Sequence, residues 1–267
     1  MFYYYGGKRR LAKRYPVPKY GTIIEPFAGS AAYALRHLDP ATRGKGVEVE
    51  RVILVEKDPR VCEIWERLLA MDPADLLKRP IPKAGERTAD FLLMTSACSN
   101  RIARTESMIV TKRMPDVIER MFRQIAAILP HAKGHVEVIQ GDYTKAPDEE
   151  ATWFIDPPYW VNGRAQKGTD RAQGLGYARD CDSSTIDYEK LATWCKARRG
   201  QVIVCEQSGA KWLPFEHLRF ARDSVGNLAA EVVWTNEPTE APTLWPKGAD
   251  PAAKIERPVA ILAPAPA

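Results

Sequence analysis

The stretch Thr152-Trp153-Phe154-Ile155-Asp156-Pro157-Pro158-Tyr159-Trp160 joins an apolar run to an acid, two prolines and an aromatic ring. Trp153, Phe154 and Ile155 are aromatic or β-branched, which suits a buried strand. Proline has no amide hydrogen and cannot continue a central ladder, so the chain must leave its sheet after Ile155. Asp156 and Tyr159 are therefore expected at the carboxyl end of a strand, the edge where open α/β sheets bind ligands. Such a turn suits chemistry on an exocyclic amino group of a nucleic-acid base. The lone pair of that group is delocalised into the ring. A carboxylate from Asp156 and backbone carbonyls from Pro157 and its neighbour can accept its hydrogens and favour a pyramidal, nucleophilic nitrogen. The Tyr159 ring offers a face on which an extruded base can stack.

Other elements must position that turn. Thr22-Ile23-Ile24-Glu25 reads as a strand, followed by the turn Pro26-Phe27-Ala28-Gly29-Ser30. A helix is expected from Ala31 to Leu38 with Ser30 as its N-cap. A tight turn into a helix amino terminus suits a ligand bearing a carboxylate. Val52-Ile53-Leu54-Val55 reads as a second strand. It ends at Glu56-Lys57-Asp58-Pro59, where an acid can accept hydrogen bonds from ribose hydroxyls. A helix follows to about Leu69. His135 to Ile139 alternate into a third strand that ends at Gly141-Asp142-Tyr143, placing another acid at the same edge. At the amino end, Tyr4-Tyr5-Gly6-Gly7-Lys8 combines paired glycines, which can present amides to an anion, with a positive charge.

The remaining chain reads as follows. Residues 72–85 are rich in Pro, Lys and Asp and look like a connecting loop. Asp116 to Leu129 has helical periodicity, with Ile118, Met121, Phe122, Ile125 and Ile128 on one face. Residues 161–184 form a long basic loop next to the catalytic stretch, which could close over nucleic acid. Ser184 to Ala197 reads as helix, and Gln201 to Cys205 and Leu228 to Asn236 as strands. Residues 237–267 are rich in Pro and Ala and read as an extended or disordered tail.

The 267 residues permit one large domain or one domain with an insertion. Hydrophobic residues at 45% and charged residues at 27% describe an ordinary globular chain. The net charge of +5 suits a nucleic-acid partner without requiring one. Five cysteines form no CxxC pair and no Cys/His ligand pattern, so no disulfide framework or metal site is expected. The expected compartment is a reducing cytoplasm, with no signal peptide and no membrane span.

In this order the motifs resemble those of the Dam-like, alpha-group adenine-N6 DNA methyltransferases. The catalytic tetrapeptide would be Asp156-Pro157-Pro158-Tyr159. The aromatic-x-Gly-Gly-Lys opening falls on Tyr4, Gly6, Gly7 and Lys8. The Pro-Phe-x-Gly turn falls on Glu25, Pro26, Phe27, Ala28, Gly29 and Ser30. The strand-end acids fall on Glu56 and Asp58, then on Asp142 beside Tyr143. The family's closing Glu…Asn motif matches Glu231 and Asn236. The resemblance implies S-adenosylmethionine as cofactor, bound by these residues together with Asp156, and no metal. It implies a Rossmann-like α/β fold with a seven-stranded, mostly parallel sheet. On that reading residues 1–71 and 135–236 form the catalytic domain, and residues 72–134 a small helical target-recognition insert. One departure matters, because the family's second glycine is Ala31 here. If the position needs a positive φ, alanine costs roughly 1 kcal/mol or more.

Asp58 and Asp156 lie 98 positions apart, which leaves little room for a large DNA-reading subdomain. Short or relaxed sequence selectivity is therefore expected. Lys8, Asn100, Arg101, Arg104, Lys112, Arg113, Arg164 and Lys167 are candidate nucleic-acid contacts, with Tyr159 stacking the target base. Double-stranded DNA is the expected partner and a monomer the default state. The compact size would fit a solitary enzyme of a phage or other mobile element. An RNA adenine methyltransferase and a non-catalytic nucleic-acid-binding relative remain as alternatives.

Overall fold

The structure is a computed structural model that describes residues 2, 8–9, 11–44, 46–90, 92–94, 107–161, 164–165, 181, 183–222 and 228–237. Five strands form the parallel part of one sheet: β1 (Thr22–Glu25), β2 (Arg51–Glu56), β5 (Val136–Gln140), β6 (Ala151–Ile155) and β9 (Gly200–Gln207). Between β2 and β5 lies a two-residue ladder of β3 (Arg87–Thr88) and β4 (Met108–Ile109). Another pairs β7 (Trp160–Val161) with β8 (Arg164–Ala165) just after the Asp-Pro-Pro-Tyr turn. Two further strands, β10 (Glu216–Arg222) and β11 (Leu228–Thr235), complete the large sheet in the order β10-β11-β9-β6-β1-β2-β5. Only β11 runs against the rest: it is antiparallel to β9, and β10 is antiparallel to it.

Both faces of the sheet are covered, which is why its central strands are continuous rather than alternating apolar runs. On one face Ile23, Val52, Leu54 and Phe154 pack with helices α1 (Ala32–Leu38), α2 (Pro59–Ala70) and α4 (Met114–Ala132). Helix α3 (Pro73–Lys78) packs against α4 and adds Leu76 to the same core. On the other face Ile24, Ile53, Trp153 and Ile155 pack with α5 (Tyr188–Lys196). Successive strand residues thus divide between two cores, as a period of two requires.

Three elements depart from the sequence reading. Residues 72–85 do not form a loop throughout, since α3 begins there with Asp72 accepting from the Ala74 amide and Pro73 in the first turn. Asp-Pro is a helix-start signal that outweighs the local charge. The strand β10 has no counterpart in the reading. Its pairing with β11 shifts register between His217 and Arg219, which breaks the alternation a strand leaves in sequence. Ser30 does not cap α1; the cap position is Ala31.

Among the described residues no helix is long and apolar enough to cross a membrane. The four described cysteines, Cys62, Cys181, Cys195 and Cys205, are free thiols.

Candidate active site

From β1 the chain passes through α1 to β2 and on towards the β5 edge, whereas from β6 it passes to β9 on the opposite side. The order therefore reverses between β1 and β6, and a crevice opens at their carboxyl ends. A cleft occupies that place. Its wall contains Glu25 from the end of β1, Glu56 from the end of β2, Asp142 and Tyr143 after β5, and Asp156 after β6.

The turn after β1 is held in place by its neighbours. The Ala28 amide donates to the Val55 carbonyl at 3.1 Å. The Gly29 amide donates to Glu56 Oε2 at 2.8 Å, and the Gly29 carbonyl accepts from Trp65 Nε1 at 2.9 Å. Glu25 Oε1 accepts from the Ala34 amide at 2.7 Å. A side chain from β1 thus takes the capping role expected of Ser30, and it consumes an amide of the α1 amino terminus. Among the described non-glycine residues only Ala31 has a positive φ, at 48°.

The cost of Ala31 can be weighed. Left-handed backbone costs an L-residue about 1–2 kcal/mol. Against that, glycine would lose a buried methyl worth about 0.8 kcal/mol and gain unfolded-state freedom worth about 0.4–1 kcal/mol. The terms nearly cancel. Ala31→Gly is expected to change unfolding free energy by less than about 0.5 kcal/mol, whereas the β-branched Ala31→Val should cost more than about 2 kcal/mol. Urea denaturation of both variants checks this, and a large gain from glycine would show the alanine to be a real handicap.

Glu56 accepts from the Gly29 amide with one oxygen and from the Asp58 amide with the other, at 2.9 Å. Each oxygen keeps a second lone pair for a ligand hydroxyl. Burial, partly opposed by the Asp58 and Gly29 amides, raises the Glu56 carboxyl to about 7. Asp58 is committed elsewhere: it caps α2, accepting from the Arg60 amide at 3.0 Å. It is not part of the cleft wall. Asp142 is exposed and caps the short turn Tyr143–Lys145. The Tyr143 ring stacks on Phe27, with centroids 5.5 Å apart and planes 27° apart. This pair gives the cleft an aromatic wall.

Glu25 is buried, and burial pushes its carboxyl up to about 8; the Ala34 amide opposes this and the Asp156 charge adds to it. A carboxyl raised in the folded state holds its proton more tightly there than in the unfolded chain. Its contribution to stability is complete below the unfolded value and is lost as pH rises through about 8. Glu25→Gln keeps an acceptor for Ala34 and removes the charge. The variant is expected to match the parent near pH 4 and to exceed it above pH 8, by on the order of a few kcal/mol. Urea denaturation across that range measures the difference, and equal curves at pH 9 would refute it.

Asp156 stands at the end of β6 with its side chain 18% exposed. Lys8 Nζ lies 2.8 Å from Oδ1, an atom sealed from solvent. Lys8 also lies 3.7 Å from Glu231 Oε1 and 4.5 Å from the centre of the Tyr159 ring. A base stacking on Tyr159 must therefore use the opposite face. Burial raises the Asp156 carboxyl to about 6, lowered by Lys8 and raised by Glu231. For Lys8, burial pulls the ammonium down, but Asp156 and Glu231 more than offset it and leave it raised. Asp156, Cys205 and Glu231 bring their ligand atoms within 4.8 Å of one another, a spacing that suits a cation. The Lys8 ammonium is the cation beside Asp156 and Glu231.

The rest of the Asp-Pro-Pro-Tyr turn is gripped from three sides. Tyr159 donates its hydroxyl to Glu231 Oε1 at 2.5 Å. The Trp160 amide donates to both oxygens of Glu206, at 3.1 and 3.2 Å. Tyr188 donates its hydroxyl to the Pro158 carbonyl. That last bond uses one lone pair of the Pro158 carbonyl.

The structure thus gathers Lys8, Glu25, Pro26, Phe27, Ala28, Gly29, Ser30, Glu56, Asp142, Tyr143, Asp156 and Pro158 around one cleft. Pro157 is buried and is not part of the cleft wall, and Tyr159 donates to Glu231. Lys112 and Arg113 are exposed before α4 and do not line the cleft. Tyr4, Gly6, Gly7, Asn100, Arg101, Arg104 and Lys167 lie outside the described residues, as does the side chain of Arg164. The sequence reading did not place Phe154, Cys181, Thr185 and Ile186 in the cleft wall, or Tyr15, Tyr188 and Glu206 around the Asp-Pro-Pro-Tyr turn and Glu231. Of these, Tyr188 carried a signal, because Asp187 before it is a helix cap.

No family model matches the chain. No curated protein sequence matches it. Among solved structures, a proposed methylase from Haemophilus influenzae is similar at 11% identity, over 85% of this chain and 84% of that chain, with a TM-score of 0.35. That likeness is too distant to bear on the site.

Proposed function

We propose that the chain is an S-adenosylmethionine-dependent methyltransferase that acts on the N6 amino group of adenine in DNA. The observation that carries the reading is Asp156. It follows the strand beside the topological switch point and lines the cleft, with one oxygen pinned by Lys8. It shares one cleft wall with Glu56, Asp142 and an aromatic pair. These residues suit the cofactor: Phe27 and Tyr143 would hold the adenine, Glu56 the ribose hydroxyls, and Glu25 and Asp156 would face the cationic end. The bound cofactor supplies an electrophilic methyl group.

The residues of this chain orient the nucleophile. Asp156 Oδ2 and the Pro157 carbonyl accept the two amino hydrogens, and Tyr159 flanks the base. After transfer the nitrogen carries a surplus proton. Asp156, with its carboxyl near 6, is placed to take it. Most of the acceleration comes from positioning and fixed electrostatics. Residues 72–134 serve target recognition in this reading. The basic residues outside the cleft contact phosphate.

The test uses purified protein, unmethylated DNA and labelled S-adenosylmethionine, followed by nucleoside analysis and mapping of modified positions. N6-methyladenine at a short motif, or in many contexts, is the expected result. Methylcytosine would overturn the base assignment, and a long, strictly defined site would overturn relaxed selectivity. Transfer to RNA alone would move the substrate to that class. No transfer and no cofactor binding would overturn the enzyme reading.

A further inference from the structure

We propose that Glu231, on the antiparallel strand β11, is a positioning residue that holds Tyr159 and Lys8 against Asp156. The proposal rests on the methyltransferase reading for its rate consequences, and on geometry alone for its electrostatic ones.

A glutamate 8% exposed inside a sheet is costly unless its charge is met. Here one oxygen is met three times. Glu231 Oε1 accepts from the Tyr159 hydroxyl at 2.5 Å and from the Tyr15 hydroxyl at 2.7 Å, and Lys8 Nζ lies 3.7 Å away. Two of these three partners are the groups that touch Asp156 and its turn: Lys8 pairs with the carboxylate and Tyr159 is three residues along. The third, Tyr15, packs edge-on against Phe154 in the catalytic strand, with ring centroids 5.0 Å apart. Purely apolar packing would fill this space without arranging donors around one oxygen. The arrangement does two things. It fixes the Tyr159 ring by its far end, and it divides the Lys8 charge between two carboxylates.

The second effect has a readable sign. The groups facing Asp156 are Lys8, Glu231, Glu25 and Glu206, with the phenols of Tyr15 and Tyr159 and the Cys205 thiol. Lys8 favours the ionised carboxylate and Glu231 opposes it. Removing the charge of Glu231 leaves Lys8 less opposed, so Asp156 should titrate at lower pH.

The experiment compares the parent with Glu231→Gln, Glu231→Asp and Tyr159→Phe, all confirmed as folded by circular dichroism and thermal melting. Carboxyl-labelled aspartate is followed by carbon NMR, with the Asp156 signal assigned from Asp156→Asn. This readout needs no turnover. The Asp156 signal should titrate near 6 in the parent, clearly lower in Glu231→Gln, near the parent value in Glu231→Asp, and higher in Tyr159→Phe, which loses a hydroxyl that favours the carboxylate. Single-turnover methyl transfer is measured alongside. Glu231→Gln and Tyr159→Phe should each slow it by about tenfold or more with cofactor affinity unchanged, and the double variant should be slower by less than the product. If Glu231→Gln does not fold, the rate cycle of Glu231→Asp with Tyr159→Phe carries the test of coupling, and a double variant slowed by the full product of the two single effects overturns the proposal.

A folded Glu231→Gln with an unmoved Asp156 titration and the parent's rate overturns the proposal. A slower variant with lowered melting temperature and an unmoved titration makes Glu231 merely structural, which also overturns it. Failure of the methyltransferase reading is seen separately, as a parent enzyme without transfer whose Asp156 titration still responds to Glu231.

Discussion

Asp156→Asn is expected to lower methyl transfer by about a thousandfold or more while leaving cofactor affinity and the fold in place. Asparagine keeps the shape of the side chain and can keep an oxygen towards Lys8. The group it then turns to the cleft is an amide NH2, which donates where the substrate's amino group needs an acceptor. Asp156→Ala is the poorer variant. Lys8 is 5% exposed and its nearest carboxylate is Asp156, so truncation leaves a buried ammonium with Glu231 at 3.7 Å. Removing one partner of a buried pair destabilises, by up to about 3–5 kcal/mol where nothing else compensates. Loss of activity in the alanine variant would mix chemistry with folding. In the parent, transfer should fall as pH drops through about 6, because burial raises this carboxyl and the protonated form no longer accepts. Single-turnover rates across pH 5 to 8 measure both effects. An asparagine variant that keeps more than about a tenth of the parent rate would falsify the assignment of Asp156.

The strand-end acids were legible in sequence because each sits where an apolar run stops. Ile155-Asp156-Pro157, Ile24-Glu25-Pro26 and Val55-Glu56 all break from buried strand to charge within one residue, and a proline or turn fixes the direction of exit. The cleft follows from that pattern once the strands lie parallel. Glu231 was visible only as part of a resemblance, and its meeting with Tyr159, Lys8 and Tyr15 was not visible at all. Tyr15 and Glu231 are 216 positions apart and meet because β11 enters the sheet antiparallel beside β9. No local pattern encodes that meeting. The same holds for Glu206, whose contacts with Trp160 and Trp212 depend on where the catalytic turn folds back over β9. At Ala31 the sequence posed the right question, whether φ is positive, but only the backbone answers it, at 48°. Asp58 reads in sequence as a strand-end acid, and only the folded chain shows that it also caps α2 by accepting from the Arg60 amide.

The largest stability effect is expected at the start of β9. Gly200 has φ +93°, and a Cβ built there would lie 2.3 Å from the Ala151 carbonyl oxygen and 2.9 Å from the Ala151 amide nitrogen. Both are backbone atoms of β6, so no side chain can swing aside. Gly200 and Ala151 are register partners at the first rung of the β6–β9 ladder. The chain is also held from the other side, because Asn236 Nδ2 donates to the Gly200 carbonyl at 2.9 Å. Gly200→Ala therefore combines left-handed strain of about 1–2 kcal/mol with an overpacking cost of about 1–3 kcal/mol. Gly209 separates the two causes: its φ is +95°, and a Cβ there meets nothing within 4 Å. Gly209→Ala should lose the strain alone. Urea midpoints of the two variants should differ by the clash, with Gly200→Ala the weaker by roughly 1–3 kcal/mol. The functional consequence follows from the register. Asp156 lies one residue beyond the rung that pairs Ile155 with Val204, and Glu206 two residues beyond it. Relief of the clash by separating the two strands moves Asp156 away from the carboxylate that holds Trp160. In the fraction that stays folded, Gly200→Ala should therefore slow methyl transfer while the cofactor wall of Glu56 and Phe27, built on other strands, binds as before. Equal midpoints for the two alanine variants would mean that β9 yields to the methyl group without cost, and the rigid coupling of Gly200 to the catalytic strand would then be wrong.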